Sequence, residues 1–336
     1  MPTPSLTVLN ETQLLRGILD GDRSILAKAI TLAESTRGQD RHQAESLLKK
    51  LLPHTGQSIR IGVTGVPGVG KSTFIEVFGK LLTEQGKKVA VLAIDPTSQK
   101  TKGSILGDKT RMEQLSRNPQ VFIRPTPTGL ALGGVSYHTR ETILFCEAAG
   151  FDVILIETVG VGQSETYVRS MVDFFLLLLL SGAGDELQGM KKGIMEMADG
   201  VVINKTDGEN LKPSMQARAD AQSALHLQAG SPSGWIPRVL AISALENKGI
   251  EETWKMIKDY HLHTQASGHF QQDRNEQKKQ WLDESIEQHF RELANAPQLQ
   301  IEKEKLLKDV MNNSSLPTEA AQEFWKTLKA FLRKIV

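Results

Sequence analysis

The feature that most constrains this chain is an apolar stretch that runs into a glycine-rich loop and then into an amphipathic helix. Residues 59–63 are mostly apolar, and after the loop the apolar side chains repeat with helical spacing at Phe74, Val77, Phe78, Leu81 and Leu82. A loop of this kind lets several backbone N–H groups surround a phosphate, and the N-terminus of the next helix favours negative charge. The sequence therefore predicts a loop that binds a nucleoside triphosphate through Gly65, Val66, Pro67, Gly68, Val69, Gly70, Lys71, Ser72 and Thr73.

Two side chains of this loop carry specific chemistry. The Lys71 ammonium brings a positive charge to the outer phosphates, which gives it a catalytic role, and the Ser72 hydroxyl can coordinate Mg²⁺. Since Mg²⁺ prefers six oxygen ligands, often with one or two carboxylates among them, acids at strand ends are expected to complete the site. Asp95 and Glu157 each follow a mostly apolar stretch. We predict a magnesium site formed by Ser72, Asp95 and Glu157, with a helix cap or a turn as the alternative role of either acid.

The segment that begins at Glu157 bears on hydrolysis. Its sequence, Glu-Thr-Val-Gly, resembles the Asp-x-x-Gly motif of GTPases with glutamate in place of aspartate, so the Gly160 N–H is expected to bond the γ-phosphate. Many GTPases place a water-orienting glutamine directly after that glycine, but this chain has Val161, and Gln163 is out of register. Hydrolysis is therefore expected to be slow or to depend on another residue. Asp108 is a candidate, and a surface acid is its alternative role.

A second motif indicates which nucleotide is bound. Asn204, Lys205 and Asp207 form Asn-Lys-x-Asp at the end of an apolar stretch. A carboxylate at the last position can accept hydrogen bonds from N1–H and the 2-amino group of guanine, whereas adenine would leave it unpaired. The Lys205 stem can cover the base, and Asn204 can tie this loop to the phosphate loop. A further contact to guanine O6 is expected from the backbone of Ser243, Ala244 and Leu245, so the sequence predicts GTP and GDP rather than ATP.

Composition narrows the class of protein. The 336 residues are 39% apolar and 24% charged, with a formal net charge of +1, so nothing demands nucleic acid or an anionic membrane as a partner. Cys146 is the only cysteine, which excludes an intramolecular disulfide and favours a reducing cytoplasm. The apolar run 174–180 is too short to span a bilayer, which needs about 20 residues, and is typical of a strand buried in a parallel sheet.

The order of elements predicts the fold. Strands are predicted at 88–94, 121–124, 151–157, 174–180, 200–204 and 239–243, and helices at 139–149, 190–198, 214–227 and 250–261. Alternation of this kind predicts an α/β fold with a mostly parallel sheet and helices on both faces. Its ligand is expected beyond the C-terminal ends of the strands, where the motifs fall.

Helical extensions flank this core, which gives three predicted domains. Residues 1–55 are predicted to be an N-terminal helical extension, 56–263 the nucleotide-binding domain and 264–336 a C-terminal helical region that supplies much of a dimer interface. Residues 265–280 are polar, and helical spacing resumes at 281–293, 301–311 and from 318 to the end. The apolar side chains of these last helices either pack on the main domain or form a partner surface.

With these motifs in place, the chain resembles the MeaB/ArgK family of P-loop GTPases. The matching blocks lie at 65–73, 93–98, 156–164, 182–193 and 204–207, within residues 52–261. The resemblance implies a homodimeric GTPase of the SIMIBI class of P-loop NTPases. Its implied Mg²⁺ ligands are Ser72, Asp95 and Glu157, and the implied catalytic acid is Asp108.

The resemblance also implies a partner, methylmalonyl-CoA mutase, an enzyme that uses adenosylcobalamin. Family members gate the loading of that cofactor and protect the mutase from inactivation, and residues 182–193 match a mobile loop, switch III, that communicates with it. Two alternatives remain open. One is a kinase of a periplasmic arginine and ornithine transport system, although the chain shows no acceptor site; the other is a nickel-delivery GTPase, although the chain has no Cys- or His-rich tract.

Overall fold

The architecture is a seven-stranded parallel sheet with helices on both faces. The computed structural model describes residues 9–95, 112–127, 132–158, 164–181, 192–226 and 231–335. The strand order is β3-β2-β4-β1-β5-β6-β7, and all neighbours pair in parallel. This confirms the predicted α/β class. The strands are β1 (Ile59–Gly65), β2 (Val89–Asp95), β3 (Val121–Pro127), β4 (Val153–Thr158), β5 (Phe174–Leu180), β6 (Gly200–Asn204) and β7 (Arg238–Ala241).

Helices precede, connect and follow these strands, and short 3₁₀ turns lie at Leu52–His54 and Gly208–Asn210. No helix in the described ranges combines the length and the apolar character needed to cross a membrane. The α-helices are α1 (Glu11–Leu19), α2 (Arg23–Ala33), α3 (Gly38–Leu51), α4 (Lys71–Glu84), α5 (Glu113–Arg117), α6 (Leu132–Ala148), α7 (Ser164–Arg169), α8 (Lys192–Glu196), α9 (Leu211–His226), α10 (Ile250–Ala266), α11 (His269–Ala294), α12 (Pro297–Met311) and α13 (Pro317–Ile335).

The core consists of one apolar layer on each face of the sheet. Alternate residues of a strand point to opposite faces, so β4 sends Ile154 and Ile156 to one layer and Val153 and Leu155 to the other. The first layer holds α1, α2, α3, α6 and α7, and α9 extends it over β6 and β7. The second layer holds α4, α5 and α10. The strands are therefore buried on both sides, as the continuous run Phe174–Leu180 predicts.

The predicted N-terminal helical segment is divided into three helices. Gly21 adopts φ +77°, and the Asp22 carboxylate then accepts hydrogen bonds from the N–H groups of Ser24 and Ile25 at 2.8 and 3.1 Å, which caps α2. These backbone donors lower the pKa of Asp22. An ion pair between Glu34 and Arg124 links α2 to β3. The N-terminal helices are thus part of the core layer against the sheet.

The chain divides into two compact units, Met1–Lys278 and Lys279–Val336. The first unit contains the whole sheet. The second contains the last part of α11 together with α12 and α13, and buries a small apolar set: Leu299, Leu306, Ala320 and Leu328. Several of its larger apolar side chains are exposed, among them Phe290 at 55%, Ile301 at 80% and Trp325 at 48%.

Residues 265–280, whose polarity interrupts the helical spacing, are largely helical in the structure. α10 extends to Ala266 and α11 begins at His269. The side chains that this part of α11 buries are polar, because Arg274 and Gln277 are only 6% and 8% exposed. The apolar pattern therefore underestimates the length of this helix.

Arg274 joins α11 to the N-terminal edge of the sheet. Its Nε and Nη2 atoms each donate to the Asp173 carboxylate at 2.8 Å, and its guanidinium also donates to the carbonyl oxygens of Gly56 and Ser58 at 2.6 Å. Burial lowers the pKa of Arg274, but the hydrogen bonds and charge of Asp173, together with the charges of Glu147 and Asp273, raise it above its ordinary value. Asp173 also accepts from the Arg60 N–H at 2.8 Å. One guanidinium thus holds α11, the start of β5 and the entry to β1.

We expect Arg274→Met to destabilise the first unit by about 3–5 kcal/mol, since the buried Asp173 carboxylate would lose its guanidinium partner. Cys146, the only cysteine and a fully buried one, provides a local probe of this unit. Its alkylation as a function of urea concentration measures the opening of the core. The variant should expose Cys146 at a markedly lower urea concentration than the unmodified protein.

Arg291→Met is the matched control, because it makes the same change on the same helix. Arg291 forms an exposed pair with Glu287 at 3.4 Å, and pairs of this kind contribute about 0.3–0.5 kcal/mol. If both variants expose Cys146 at the same urea concentration, the buried pair does not stabilise this unit.

Candidate nucleotide-binding site

The glycine-rich loop leaves β1 between two neighbouring strands and leads into α4. Gly65 ends β1 with φ +148°, and a Cβ atom there would lie 2.4 Å from the Leu178 carbonyl oxygen of β5. Gly70 caps α4 in the left-handed conformation at φ +94°. Both positions therefore require glycine. The loop packs against β5 and continues directly into the N-terminus of α4. Backbone N–H groups at a helix N-terminus favour the binding of phosphate.

Lys71, the first residue of α4, folds back over the loop. Its ammonium donates to the carbonyl oxygens of Gly65 and Val66 at 2.7 and 3.2 Å, and the side chain is buried. Burial lowers the pKa of Lys71, while the charges of Glu157 and Glu165 act in the opposite direction. The cation is thus held inside the loop and beside two acids.

Ser72 and Glu157 meet beside the loop, as their predicted common role requires. The Ser72 hydroxyl donates to Glu157 Oε1 at 3.0 Å, across 85 residues of sequence. Both side chains offer oxygen atoms as metal ligands next to the phosphate loop. Such a set fits Mg²⁺, which binds through one or two carboxylates together with substrate phosphates and water. Asp95 is the last residue of β2, directly after Ile94, which pairs with Thr158 of β4. Its side chain lies outside the described part of the structure.

Asn204 connects the phosphate loop to the predicted base-reading loops. Its Nδ2 donates to the Val69 carbonyl oxygen at 2.8 Å, and its Oδ1 accepts from the Ala244 N–H at 3.2 Å. A Cβ atom on Gly70 would lie 2.7 Å from Nδ2, so glycine also permits this approach. The Asn204 side chain is 1% exposed. A single buried amide therefore sets the spacing of three segments.

Lys205 and Asp207 follow this anchor. Lys205 has φ +59°, and its ammonium donates to the Gly68 carbonyl oxygen at 2.8 Å, so its stem passes beside the loop. The Asp207 carboxylate accepts a hydrogen bond from the Ser243 hydroxyl through Oδ2. Among the described residues, no group donates a hydrogen bond to its other oxygen, Oδ1. Asp207 Oδ1 can therefore still accept a hydrogen bond, at the position expected to read guanine.

The segment after β7 forms a tight turn beside Asp207. Ser243 and Lys248 exchange two backbone hydrogen bonds at 3.0 Å, and the Ser243 hydroxyl also accepts from the Glu246 N–H at 3.1 Å. Ala244 is buried and Leu245 is 82% exposed. The structure thus brings Asn204, Asp207 and residues 243–245 together, although the first two lie at the end of β6 and the others follow β7.

Several predicted residues fall outside the described part of the chain. These are Asp108, Gly160, Val161, Gln163 and residues 182–191. Their proposed roles remain predictions.

Sequence reasoning missed Glu165. This residue of α7 is 3% exposed, and its charge opposes the lowering of the Lys71 pKa by burial. It lies just past the block 156–164, and an acid in a polar segment resembles a surface residue. Only the packing of α7 shows that it is buried near the loop lysine.

Comparisons with known proteins agree with this geometry. Residues 26–298 match the family described as "Methylmalonyl Co-A mutase-associated GTPase MeaB". The GTPase ArgK of Escherichia coli (strain K12) is 51% identical over 286 residues, which cover 84% of this chain and 86% of that protein. The mitochondrial methylmalonic aciduria type A homolog of Mus musculus is 44% identical over 332 residues, covering 95% of this chain and 79% of that protein.

A solved structure extends the similarity to the fold. The crystal structure of an LAO/AO transport system kinase superimposes with a TM-score of 0.76 at 40% identity, and the match covers 96% of this chain and 100% of that one. The fold is therefore that of a P-loop NTPase with helical segments at both ends, as predicted. The chain belongs to the MeaB family and is a P-loop GTPase.

Proposed function

We propose that this GTPase assists the loading of adenosylcobalamin into methylmalonyl-CoA mutase and protects that enzyme from inactivation. The observation that carries the proposal is the family match over residues 26–298, since that family is described as mutase-associated. The site supports the nucleotide part of the proposal, because Asn204 joins the phosphate loop to the loops that would read guanine. We also propose a cytoplasmic location, in keeping with the single cysteine.

Each part of the site has a proposed role in GTP binding. Backbone N–H groups within residues 65–73 and the Lys71 ammonium bind the phosphates, while Asp207 and the backbone of residues 243–245 read guanine. Ser72, Glu157 and Asp95 would hold Mg²⁺, which when bound neutralises charge on the β- and γ-phosphate oxygens. The Gly160 N–H would contact the γ-phosphate.

Hydrolysis is proposed to depend on the partner. Val161 occupies the position where many GTPases carry the water-orienting glutamine. We therefore assign the positioning of the attacking water to Asp108 and expect the mutase to fix Asp108 and residues 182–193 near the γ-phosphate. Such a gain would come from positioning and preorganised charge rather than from a covalent step.

The decisive test measures GTP hydrolysis with and without purified methylmalonyl-CoA mutase. The mutase should raise the rate, and Asp108→Ala should lower the stimulated rate by at least about 10²-fold, the scale of a lost positioned acid or base. Nucleotide affinity should change little. Lys191→Ala and Lys192→Ala should weaken the stimulation more than the basal rate. Equal rates with and without mutase, together with no complex in gel filtration, would remove the mutase role and leave the GTPase assignment in place.

Base recognition gives a separate prediction. Asp207→Asn should weaken GTP binding by about 10²-fold, because a charge-assisted acceptor pair is lost. Xanthosine triphosphate should gain affinity, since its O2 can accept from the new amide. Fluorescent GDP and competing nucleotides measure both changes. Asp220→Asn is the control, because Asp220 lies on α9 and accepts a hydrogen bond from Gln216 in the same helix. Comparable affinities for ATP and GTP in the unmodified protein would contradict the assignment of Asp207.

We also propose that the protein is a homodimer whose interface includes the second unit. The support is the exposed apolar set on this short helical unit, with Phe290, Ile301 and Trp325 as members. The double variant Phe290→Glu/Trp325→Glu should be monomeric in light scattering and still bind GTP. Leu262→Glu, which changes an apolar residue 64% exposed in the first unit, should stay dimeric. A monomeric unmodified protein would rule the dimer out.

Phosphoryl transfer to a transport protein is the second candidate, because the solved relative is named as an LAO/AO transport system kinase. Incubation with γ-labelled GTP separates the two functions: a GTPase releases labelled phosphate, whereas a kinase transfers the label to protein. Nickel delivery is a weaker candidate, since the sequence contains no Cys- or His-rich tract.

A further inference from the structure

Two buried threonines, one next to the phosphate loop and one next to Glu157, form a hydrogen bond with each other. The Thr158 hydroxyl donates to the Thr64 hydroxyl at 2.8 Å, and the two side chains are 0% and 1% exposed. Thr64 immediately precedes Gly65, the first residue of the phosphate loop, and Thr158 immediately follows Glu157. The pair therefore joins the two chain segments that carry the loop and the carboxylate.

The threonine pair and the magnesium pair lie back to back across the sheet. Val63 of β1 is in register with Glu157 of β4, and Val63 belongs to the apolar layer on the α4 side. Because side chains alternate along a strand, Thr64 and Thr158 belong to the opposite side. A rotation or slip at Thr158 would therefore move Glu157 relative to Ser72.

The hydroxyl pair also extends the contact between the two strands. The backbone register of β1 and β4 ends at Val63 and Glu157, while Thr158 still pairs with Ile94 of β2 on its other side. Between β4 and β1, the hydrogen bond from Thr158 to Thr64 follows directly after the last backbone pair, Glu157 with Val63. It acts one residue beyond the carboxylate and one residue before the loop.

We infer that Thr64 and Thr158 are positioning residues for magnesium binding: their hydroxyl pair fixes the end of β4 against β1, so that Glu157 stays within hydrogen-bonding distance of Ser72. This inference rests on the proposed magnesium site. Outer partners that orient a ligand commonly change metal affinity by about 10- to 100-fold when they are removed. The effect reaches the metal through Glu157, without contact between either threonine and the nucleotide.

Valine is the informative substitution, because it has the shape of threonine without the hydroxyl. Thr158→Val leaves the Thr64 hydroxyl without its donor, whereas the double variant Thr64→Val/Thr158→Val replaces both partners with apolar groups of matching shape. The double change can be nearly neutral for stability. It therefore separates a loss of positioning from a loss of folding.

The experiment titrates free Mg²⁺ against the full chain and follows the affinity for a fluorescent, non-hydrolysable GTP analogue. Thr158→Val and the double variant should each raise the apparent dissociation constant for Mg²⁺ by about tenfold. Affinity for the analogue in EDTA should be unchanged. Thr158→Ser keeps the hydroxyl and should restore most of the Mg²⁺ affinity. Because both variants break the same bond, the double variant should show no larger shift than Thr158→Val.

Thr142→Val is the matched control, since Thr142 is also fully buried and donates to the His138 carbonyl oxygen within α6 at 2.8 Å. It should leave the Mg²⁺ dependence unchanged. The inference is overturned if Thr158→Val and the double variant keep the Mg²⁺ affinity of the unmodified protein, or if affinity in EDTA falls equally. Failure of the proposed magnesium site itself gives a different result: the unmodified protein would show no Mg²⁺-dependent gain in analogue affinity.

Discussion

The contact of the phosphate loop with the ends of β5 and β6 is the constraint on which the rest of the site depends. Gly65 lies so close to the Leu178 carbonyl that no side chain fits there, and Asn204 donates to the Val69 carbonyl at the other end of the loop. Both contacts require β1 to lie beside β5, with β6 next in order. The sheet order thus places the loop beside the end of β6, the strand that leads into the predicted base-reading motif.

The two edges of the sheet carry different interactions. At the C-terminal ends of the strands, polar contacts join segments that are expected to bind one ligand, as in the pairing of Ser72 with Glu157 and of Ser243 with Asp207. At the N-terminal ends, Arg274 binds Asp173 and the carbonyls before β1, where the predicted motifs place no ligand group. Because these contacts fix the N-terminal ends of the strands, small shifts of residues at the C-terminal ends change the geometry of the ligand site rather than the fold.

The sequence predicted the sheet well because its strands are apolar on both faces and its motifs follow them directly. The run Phe174–Leu180 and the block ending at Asn204 are examples in which local pattern and tertiary role agree. Arg274 could not be predicted, since a buried guanidinium in a polar helix has the pattern of a solvated one until Asp173 is placed beside it. The Thr64–Thr158 contact and the burial of Glu165 likewise depend on segments far apart in sequence. Local sequence patterns thus mainly fail to show which polar side chains are buried by partners far away in the sequence.

Lys71 shows how such surroundings shape the chemistry. An ammonium has three donors, and the carbonyls of Gly65 and Val66 accept hydrogen bonds from it in the structure. Burial alone lowers its pKa, which would weaken its value as a phosphate ligand, but the charges of Glu157 and Glu165 oppose that shift. The same carboxylate that contacts Ser72 therefore also helps to keep the loop lysine cationic. In this arrangement, holding the Glu157 strand end in place serves both the proposed metal site and the phosphate-binding charge.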